Sequence, residues 1–284
     1  MSGATDGERL GRAERARERL DKSTGLSSDI DDLLDLAVDL ARDSGALLLD
    51  RFKGGREQAL ESKSTPTDLV SEADLASERL IRDKLARLRP ADGILGEEGG
   101  GTKGTSGLTW VVDPLDGTVN FLFSIPQWCV SVAVTDERGS LAGAIYDPCR
   151  GELFVATRGG EPLLNGAPIA ASDRTELSSA MVATGFAYDA SVRAAQAEVF
   201  AGLLPRVRDI RRFGSAALDL AWTACGRYDA YFERTVKPWD IAAGTLICER
   251  AGLTVQELPE REGLPLGVLA AGPALAGELF ELVG

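Results

Sequence analysis

The sequence predicts a mixed fold in which an α+β half, residues 27–175, is followed by an α/β half, residues 176–284. Two segments with helical spacing of apolar residues come first, and a series of short alternating strands follows them. After about residue 175, the pattern changes to alternating strands and helices. No internal repeat or low-complexity linker separates the two patterns. We therefore expect one domain over 27–284 whose halves pack tightly together.

The first half opens with two predicted helices. Leucines recur at helical spacing over residues 28–52, and a Gly-Gly pair follows them. A second apolar stripe predicts a helix over 71–88, which Pro90 ends. Residues 1–26 are rich in Arg, Glu, Gly and Ala and have almost no large apolar side chains, so they cannot bury a face. We expect these residues to form a flexible or loosely helical extension.

The strands and later helices follow from alternation and from turn residues. In the first half, short β-like runs and one hairpin turn at 136–140 predict a largely antiparallel sheet, with strands at 94–95, 108–112, 130–134, 141–146 and 152–156. The second half has strands at 181–185, 209–213, 230–233, 253–257 and 267–271. Its helices fall at 192–204, 215–224 and 238–251, with one more at the C-terminal end.

Composition excludes several classes of function. The formal net charge is −13, so neither nucleic acid nor an anionic membrane surface is an expected partner. The chain contains no histidine, which excludes Ser-His-Asp and Cys-His triads and the common His-containing zinc sites. Acid–base chemistry would have to use carboxylates, Lys, Tyr or metal-bound water. A carboxylate-rich site without histidine suits Mg²⁺ or Mn²⁺ better than Zn²⁺ or Cu²⁺.

The cysteines and the apolar runs indicate the compartment. Four cysteines lie in apolar or small-residue surroundings and none forms a C-x-x-C pair, namely Cys129, Cys149, Cys225 and Cys248. This pattern is typical of reduced, mostly buried thiols. The N-terminus has no apolar signal region, and no run is long enough to span a membrane. We expect a soluble cytoplasmic protein.

One dozen residues, 110–121, carries most of the functional information. An apolar run ends in a turn with two carboxylates, Asp113 and Asp116, and Gly117 and Thr118 follow directly. Carboxylates beside such a turn can hold a hard cation, while freed backbone N–H groups face an anion. The combination suggests phosphate chemistry. The alternative is a strand that ends in an ordinary β-turn.

Four further segments carry residues capable of chemistry, and each also has an ordinary structural explanation. Asp74 could close a capping box with Ser71. The Glu97-Glu98 pair could be a solvated acidic turn. Asp240 lies in the first turn of a helix, where the macrodipole favours it without any ligand. Glu233 could be a charge at a strand end, and Lys63 a surface lysine.

Taken together and in order, these segments resemble the inositol monophosphatase family. The motifs are K-S-x-P-x-D-L-V-S/T-x-x-D at 63–74, G-E-E at 96–98, W-x-x-D-P-x-D-G-T-x-N-F at 110–121 and W-D-x-A-A-G at 239–244. The family belongs to a superfamily of Mg²⁺-dependent, Li⁺-sensitive phosphatases that includes the fructose-1,6-bisphosphatases. The resemblance implies a layered α-β-α-β-α sandwich, commonly as a homodimer.

The resemblance also implies a ligand set and a mechanism. Glu97, Asp113 and the carbonyl of Leu115 would hold a first Mg²⁺, while Asp113, Asp116 and Asp240 would hold a second. A third, weaker ion would lie near Glu97, and Mn²⁺ could replace Mg²⁺. Water on the first metal would be the nucleophile, oriented by Thr118, which would be hydrogen-bonded to Asp74, with Glu97 nearby.

Substrate contacts follow from the same resemblance. The backbone N–H groups of Gly117 and Thr118 would bind phosphate oxygens. Glu233, Ala216 and Asp116 would contact the alcohol, which is inositol in the family. The chain departs from animal members at the mouth of the site, where 236–238 and 123–124 replace segments that usually contain histidine. These departures concern the substrate rather than the metals, and bacterial members often show them.

The predicted function is Mg²⁺-dependent hydrolysis of a phosphate monoester, with myo-inositol 1-phosphate as the first candidate. Fructose 1,6-bisphosphate, histidinol phosphate and adenosine 3′,5′-bisphosphate are the alternatives. The sequence offers no obvious arginine cluster for a second phosphate, which favours monophosphates. A different class also stays open, since some bacterial relatives act as protein-binding regulators in transcription complexes.

Overall fold

The computed structural model describes residues 6–54, 60–62 and 69–284, with side chains at 29–54 and 71–284. Helices are numbered in chain order: α1 Asp6–Lys53, α2 Glu72–Leu88, α3 Thr118–Leu122, α4 Ala190–Leu203, α5 Ala216–Ala224, α6 Pro238–Arg250 and α7 Pro273–Val283. α1 begins upstream of the predicted start at residue 28. The division into an extension over 1–26 and a domain over 27–284 stays a prediction.

Most strands lie where alternation predicts them, and the additional ones are two or three residues long. In chain order they are β1 Leu60–Ser62, β2 Leu69–Ser71, β3 Gly93–Gly96, β4 Gly100–Thr102, β5 Thr109–Asp116, β6 Cys129–Asp136, β7 Gly139–Asp147, β8 Glu152–Thr157, β9 Leu163–Leu164, β10 Ala167–Pro168, β11 Met181–Thr184, β12 Asp209–Arg211, β13 Ala230–Arg234, β14 Thr254–Leu258 and β15 Gly267–Ala271.

Two large sheets organise the described residues. The first has the order β10-β9-β8-β7-β6-β5-β3-β4 and is antiparallel except where β3 pairs with β5. The second has the order β12-β11-β13-β15-β14, with parallel pairs around β11 and antiparallel pairs around β15. The largely antiparallel first sheet is as predicted, and so is the succession of strands and helices in the second half.

Three buried apolar clusters show that the sheets and helices stack in five layers. α1 and α2 cover one face of the first sheet. α5 and α6 fill the space between the two sheets, and side chains from both halves share this core. α4 and α7 cover the outer face of the second sheet. The α-β-α-β-α sandwich is therefore confirmed, as is the tight packing of the halves. Among the described residues, no helix is both long and apolar enough to cross a bilayer.

An aromatic cluster fixes the short helix α3 against α1. The rings of Phe52 and Phe121 have centroids 5.4 Å apart, and Trp128 lies 5.4 Å from the first and 5.1 Å from the second. Trp128 is fully buried. Because such tilted aromatic contacts stabilise beyond the area that they bury, the turn between β5 and α3 rests on a rigid base.

Candidate active site

A cavity of about 470 Å³ opens where the two halves of the domain meet. Its walls come from the end of β5, from α3 and from the loops after β11, β12 and β13. The residues that line it are Glu97, Asp113, Leu115, Asp116, Gly117, Thr118, Phe186, Ala187, Tyr188, Asp189, Arg212, Gly214, Ala216, Glu233, Thr235, Val236, Lys237, Trp239 and Asp240. Every residue predicted to bind metal or substrate is among them, and Asp74 lies behind Thr118.

The two carboxylates of the central motif lie on a strand rather than on the predicted turn. The sequence predicts a strand that ends at residue 112, but β5 continues to Asp116. Its pairing with β6 shifts register between Asp113 and Asp116. Such an irregularity re-aims side chains and is common beside active sites. Both carboxylates consequently reach the cavity, although they are three residues apart.

Asp116 is held by the start of α5. The Ser215 hydroxyl donates to its Oδ2 at 2.5 Å, and the backbone N–H of Ala217 donates to the same atom at 2.8 Å. The N–H of Ala216 lies 3.3 Å from Oδ1. These donors and the positive end of the helix favour the charged form of the carboxylate. The contacts of Ser215 and Ala217 with Asp116 were not predicted, although serine before a helix is a typical N-cap.

Asp74 connects a helix cap to the site. Its Oδ2 accepts from the Ser71 backbone N–H at 3.0 Å and from the Ser71 hydroxyl at 2.5 Å. Its Oδ1 lies 3.1 Å from Oγ1 of Thr118, which is also 3.1 Å from the Leu115 carbonyl. The capping-box explanation is therefore correct, and the predicted contact with Thr118 is present as well. One carboxylate serves both purposes.

The loop that carries Glu97 is held by a residue that the sequence analysis did not single out. Glu78 on α2 is buried and accepts from the backbone N–H groups of Glu98 and Gly99 at 2.7 and 2.8 Å. Its charge is balanced by Arg82, whose Nε lies 2.6 Å away. The i, i+4 pair on a helix was the only signal in the sequence. Glu97 itself is partly exposed at the cavity.

Asp240 also combines the two explanations offered for it. It lies in the first turn of α6, and its Oδ2 accepts from the Lys237 backbone N–H at 2.6 Å. Pro238 starts the helix without losing a needed donor. The carboxylate nevertheless lines the same cavity as Asp113 and Asp116.

The acidic side chains repel one another strongly. Burial, followed by the charges of Glu97, Asp116, Asp240 and Asp74, raises the pKa of Asp113 well above its usual range. Burial and the charge of Asp116 do the same to the pKa of Asp240. Burial raises the pKa of Asp116 less severely, because Ser215 and the α5 backbone donate to it. A site with this charge distribution is stabilised by cations.

The donor set fits a hard divalent cation. It consists of carboxylates and one backbone carbonyl, which are the ligands that Mg²⁺ and Mn²⁺ prefer. Within the described part of the chain, however, no three acidic, cysteine or histidine side chains form a ready-made metal cage. Instead, one carboxylate oxygen of Asp116 and one of Asp240 accept hydrogen bonds from backbone N–H groups. The ligand assignments for Glu97, Asp113, Leu115, Asp116 and Asp240 stay predictions.

The predicted phosphate cradle depends on one glycine. Gly117 has φ +96°, and a Cβ at this position would lie 2.8 Å from the Gln127 carbonyl oxygen. Only glycine combines that backbone angle with such a close approach. α3 has five residues, so its dipole is small, and any anion would be held mainly by individual N–H groups.

The end of the cavity that is predicted to bind the alcohol, called the alcohol end below, is built around Glu233. The Tyr231 hydroxyl donates to its Oε2 at 2.9 Å. Its carboxylate packs directly on Gly185, where a Cβ would lie 1.9 Å from Oε1. Burial raises the pKa of Glu233 to about 7, against the opposing effects of the Tyr231 hydrogen bond and the charge of Arg212. Ala216 lines the cavity nearby, as predicted.

Several residues at this end were not predicted. Arg212 brings positive charge to the wall, and Phe186 and Tyr188 bring aromatic rings. The Arg212 guanidinium lies 5.7 Å from the centroid of the Phe186 ring. These residues lie on loops that follow different strands and meet only in the folded protein, so no local spacing in the sequence indicated them. Of the two segments inferred to lie at the mouth, Val236 and Lys237 line the cavity, whereas 123–124 do not. Lys63 lies outside the described residues.

Comparisons with known proteins agree with this geometry. The Inositol monophosphatase family profile matches residues 29–282. The inositol-1-monophosphatase of Mycobacterium leprae is 48% identical over 240 residues, which cover 78% of this chain and 80% of that protein. The Nus factor SuhB of Xylella fastidiosa is 43% identical over 220 residues, covering 77% and 79%.

A solved structure supports the same assignment. The extragenic suppressor protein suhB from Bartonella henselae superposes with a TM-score of 0.82 at 31% identity. The match covers 88% of this chain and 98% of that one. Fold, site order and sequence identity lead to one conclusion: the chain belongs to the inositol monophosphatase family and is a phosphoric monoester hydrolase.

Proposed function

We propose that this enzyme hydrolyses phosphate monoesters with Mg²⁺, and that myo-inositol 1-phosphate is its best substrate. The single observation that supports this most is the convergence of Asp113, Asp116, Asp240 and Glu97 on one cavity beside the Asp74–Thr118 pair. The M. leprae relative, named an inositol-1-monophosphatase, supports the choice of substrate.

The metal would be held by the carboxylates of Glu97, Asp113, Asp116 and Asp240 and the carbonyl of Leu115. Two or three Mg²⁺ ions bound there would neutralise the acidic cluster, polarise the phosphate and activate a water for attack. The donor set suits this ion because all its members are hard oxygen ligands. Mn²⁺ would be accepted by the same ligands.

The protein's own groups would orient and deprotonate the attacking water. The Thr118 hydroxyl has one hydrogen, and when it is donated to Asp74 the lone pairs of Oγ1 can accept from water. Asp74 is fully buried and fixed by Ser71, so its Oδ1 stays within hydrogen-bond distance of the Thr118 hydroxyl. Asp74 can then take up a proton through Thr118, with Glu97 at the same wall.

Binding of the alcohol would depend on Glu233 and its surroundings. An ionised Glu233 accepts hydrogen bonds from polyol hydroxyls, while Ala216 and Asp116 complete this side of the cavity. The backbone N–H groups of Gly117 and Thr118 would contact the phosphate. The phosphate could approach them closely because Gly117 has no Cβ.

A phosphate-release panel tests the proposal. The purified enzyme with Mg²⁺ is compared on inositol 1-phosphate, fructose 1,6-bisphosphate, histidinol phosphate and adenosine 3′,5′-bisphosphate. We expect the highest kcat/KM for inositol 1-phosphate, loss of turnover with EDTA and recovery with added Mg²⁺. A higher kcat/KM on another compound of the panel would reassign the substrate. No phosphate release from any of them would overturn the proposal.

A second role in protein binding is supported by one observation. The X. fastidiosa relative, which is 43% identical, is named a Nus factor rather than a phosphatase. If such a role exists here, partner binding should not need the acidic cluster. Co-purification of a partner that is equal for the wild type and Asp113→Asn would support it, whereas loss of the partner in Asp113→Asn would tie binding to the active site.

We also propose that the enzyme is a cytoplasmic homodimer, as implied for the family. Sedimentation equilibrium on the full chain measures the oligomeric state directly. A single species at the monomer mass of 30.1 kDa across the concentration range would contradict the dimer.

A further inference from the structure

Thr235 has a backbone conformation that threonine rarely adopts. Its φ is +70°, in the left-handed region. Among the described residues, the other non-glycine positions with positive φ are Ser124 and Asn165. Asparagine tolerates this region and serine is not β-branched, whereas the branched side chain of threonine makes the conformation costly. Thr235 is therefore the strained position of the three.

The surrounding structure explains why the backbone must turn here. Arg234 closes β13, and its guanidinium donates to three backbone carbonyl oxygens at 2.7–2.9 Å. Pro238 starts α6 four residues later. The N–H of Thr235 donates to the Leu266 carbonyl at 2.9 Å. The chain must reverse within residues 235–237 between two fixed elements, and a left-handed residue at 235 achieves this.

Glycine would satisfy the same backbone without the steric cost. The threonine side chain is thus kept at a position where it destabilises the fold, and it lines the cavity between Glu233 and Lys237. Backbone strain that is retained at the wall of a binding cavity indicates a functional role for the residue. The Thr235 hydroxyl donates to the Arg234 carbonyl at 2.5 Å, so its lone pairs remain available to accept a hydrogen bond.

We propose that Thr235 is a specificity-determining residue that contacts the alcohol portion of the substrate. Its methyl group packs against ring carbons, and its Oγ1 accepts from a ring hydroxyl next to the one bound by Glu233. This inference rests on the proposed phosphatase function and deepens it. It predicts that position 235 discriminates ring polyol phosphates from open-chain phosphate esters, while the chemistry at Asp113 and Thr118 is unchanged.

The test compares kcat/KM for inositol 1-phosphate and for glycerol 2-phosphate, which has no ring. Thr235→Gly should lower kcat/KM for inositol 1-phosphate about tenfold and change that for glycerol 2-phosphate less than about twofold. The same variant should raise Tm by about 2 °C because the strain is relieved. Thr235→Ala keeps the Cβ and thus part of the strain, so it should lose the discrimination with a smaller gain in Tm than Thr235→Gly.

Ser124→Gly is the matched control. Ser124 also has positive φ, at +58°, but is exposed and does not line the cavity. It should gain stability and keep the wild-type ratio of the two kcat/KM values. The inference is overturned if Thr235→Gly and Thr235→Ala both keep that ratio, or if Thr235→Gly alone loses it, since loop flexibility would then explain the loss. A wild-type enzyme inactive on both esters would instead refute the proposed function.

Discussion

The two ends of the cavity differ in how firmly their side chains are held. At the end predicted to bind metal and phosphate, here called the metal end, Asp74 and Asp116 each accept several hydrogen bonds from serine hydroxyls and backbone N–H groups, and Asp113 is 2% exposed. At the alcohol end, Phe186 and Tyr188 are 37% and 47% exposed and lie on loops. The side chains of the metal end are therefore fixed by the fold. The alcohol end can vary, so substrate choice is expected to reside there.

The largest effect should come from Asp113, at the centre of the metal end. Asp113→Asn removes the charge that faces Glu97, Asp116 and Asp240, so we expect kcat to fall at least about 10³-fold in the phosphate-release assay. Mg²⁺ affinity measured by calorimetry should fall as well. Without metal, the variant should have a higher Tm than the wild type, because the buried repulsion is reduced. Wild-type turnover, or a lower metal-free Tm, would contradict this account of the acidic cluster.

The next largest effect should come from the Asp74–Thr118 hydrogen bond. Thr118→Val keeps the shape but removes the hydroxyl, and we expect kcat to fall about 10²-fold with little change in KM. Thr118→Ser restores the hydroxyl and should recover most of the activity. Because both residues act on one water, Asp74→Asn combined with Thr118→Val should be no worse than the poorer single variant. Additive losses would show that the two residues act independently.

At the alcohol end, the raised pKa of Glu233 predicts that KM depends on pH. Its pKa is raised to about 7, chiefly by burial, so at pH 6 the group is mostly protonated and above pH 8 it is mostly ionised. The carboxylate accepts polyol hydrogen bonds and the acid accepts fewer, so KM for inositol 1-phosphate should fall about tenfold from pH 6 to pH 8.

Glu233→Gln is the control for this pH dependence, because it cannot ionise. Its KM should be flat over the same range and near the wild-type value at pH 6. KM for glycerol 2-phosphate, which has fewer hydroxyls to bind, should vary less in both proteins. A wild-type KM that stays constant from pH 6 to pH 8 would rule out a titrating Glu233 in the binding step.

The same contrast explains what could be predicted from the sequence. At the metal end, Asp113, Asp116, Gly117 and Thr118 are neighbours in the chain, so their spacing suggested a metal and phosphate site. An ordinary β-turn remained the alternative until the other motifs were considered with it. The order of helices and strands was also predictable, because helical and alternating apolar patterns are local properties of the chain. Their stacking in layers was implied only by the resemblance to the family. The strand β5 was longer than predicted, since a register shift leaves no pattern in the sequence.

At the alcohol end, the contacts arise only after folding. Phe186, Arg212 and Thr235 follow three different strands, β11, β12 and β13, which lie side by side in the second sheet. Nothing in the spacing of these residues indicates that their loops meet. Glu78 was missed for a similar reason, because its hydrogen bonds reach twenty residues along the chain. Long-range packing decides these positions, and a single sequence does not encode it in any short motif.

The smallest effect concerns a carboxyl group between the two ends that the mechanism does not use. Asp219 on α5 is fully buried, and neither of its oxygens has a hydrogen-bond partner among the described residues. Burial, followed by the charges of Glu233 and Asp116, raises its pKa well above the usual value, against the opposing charge of Arg212. The folded state therefore keeps a proton that the unfolded chain releases near pH 4, and stability falls as pH rises above that value.

Asp219→Asn replaces this group with a neutral one of the same shape, so it should raise Tm by about 2–4 °C at pH 8 and by less at pH 5. Turnover should stay within about twofold of the wild type, since Asp219 touches neither phosphate nor alcohol in the proposed mechanism. Asp209→Asn is the matched control: Asp209 is exposed and its pKa is lowered, chiefly by its hydrogen bond with Arg211, so its variant should show no gain at high pH. If the gain for Asp219→Asn did not grow between pH 5 and pH 8, the buried group would have to be ionised in the folded enzyme. The alcohol end would then carry the negative charge of Asp219 in addition to that of Glu233. The pH dependence of the wild-type KM would reflect the ionisation of both carboxyl groups.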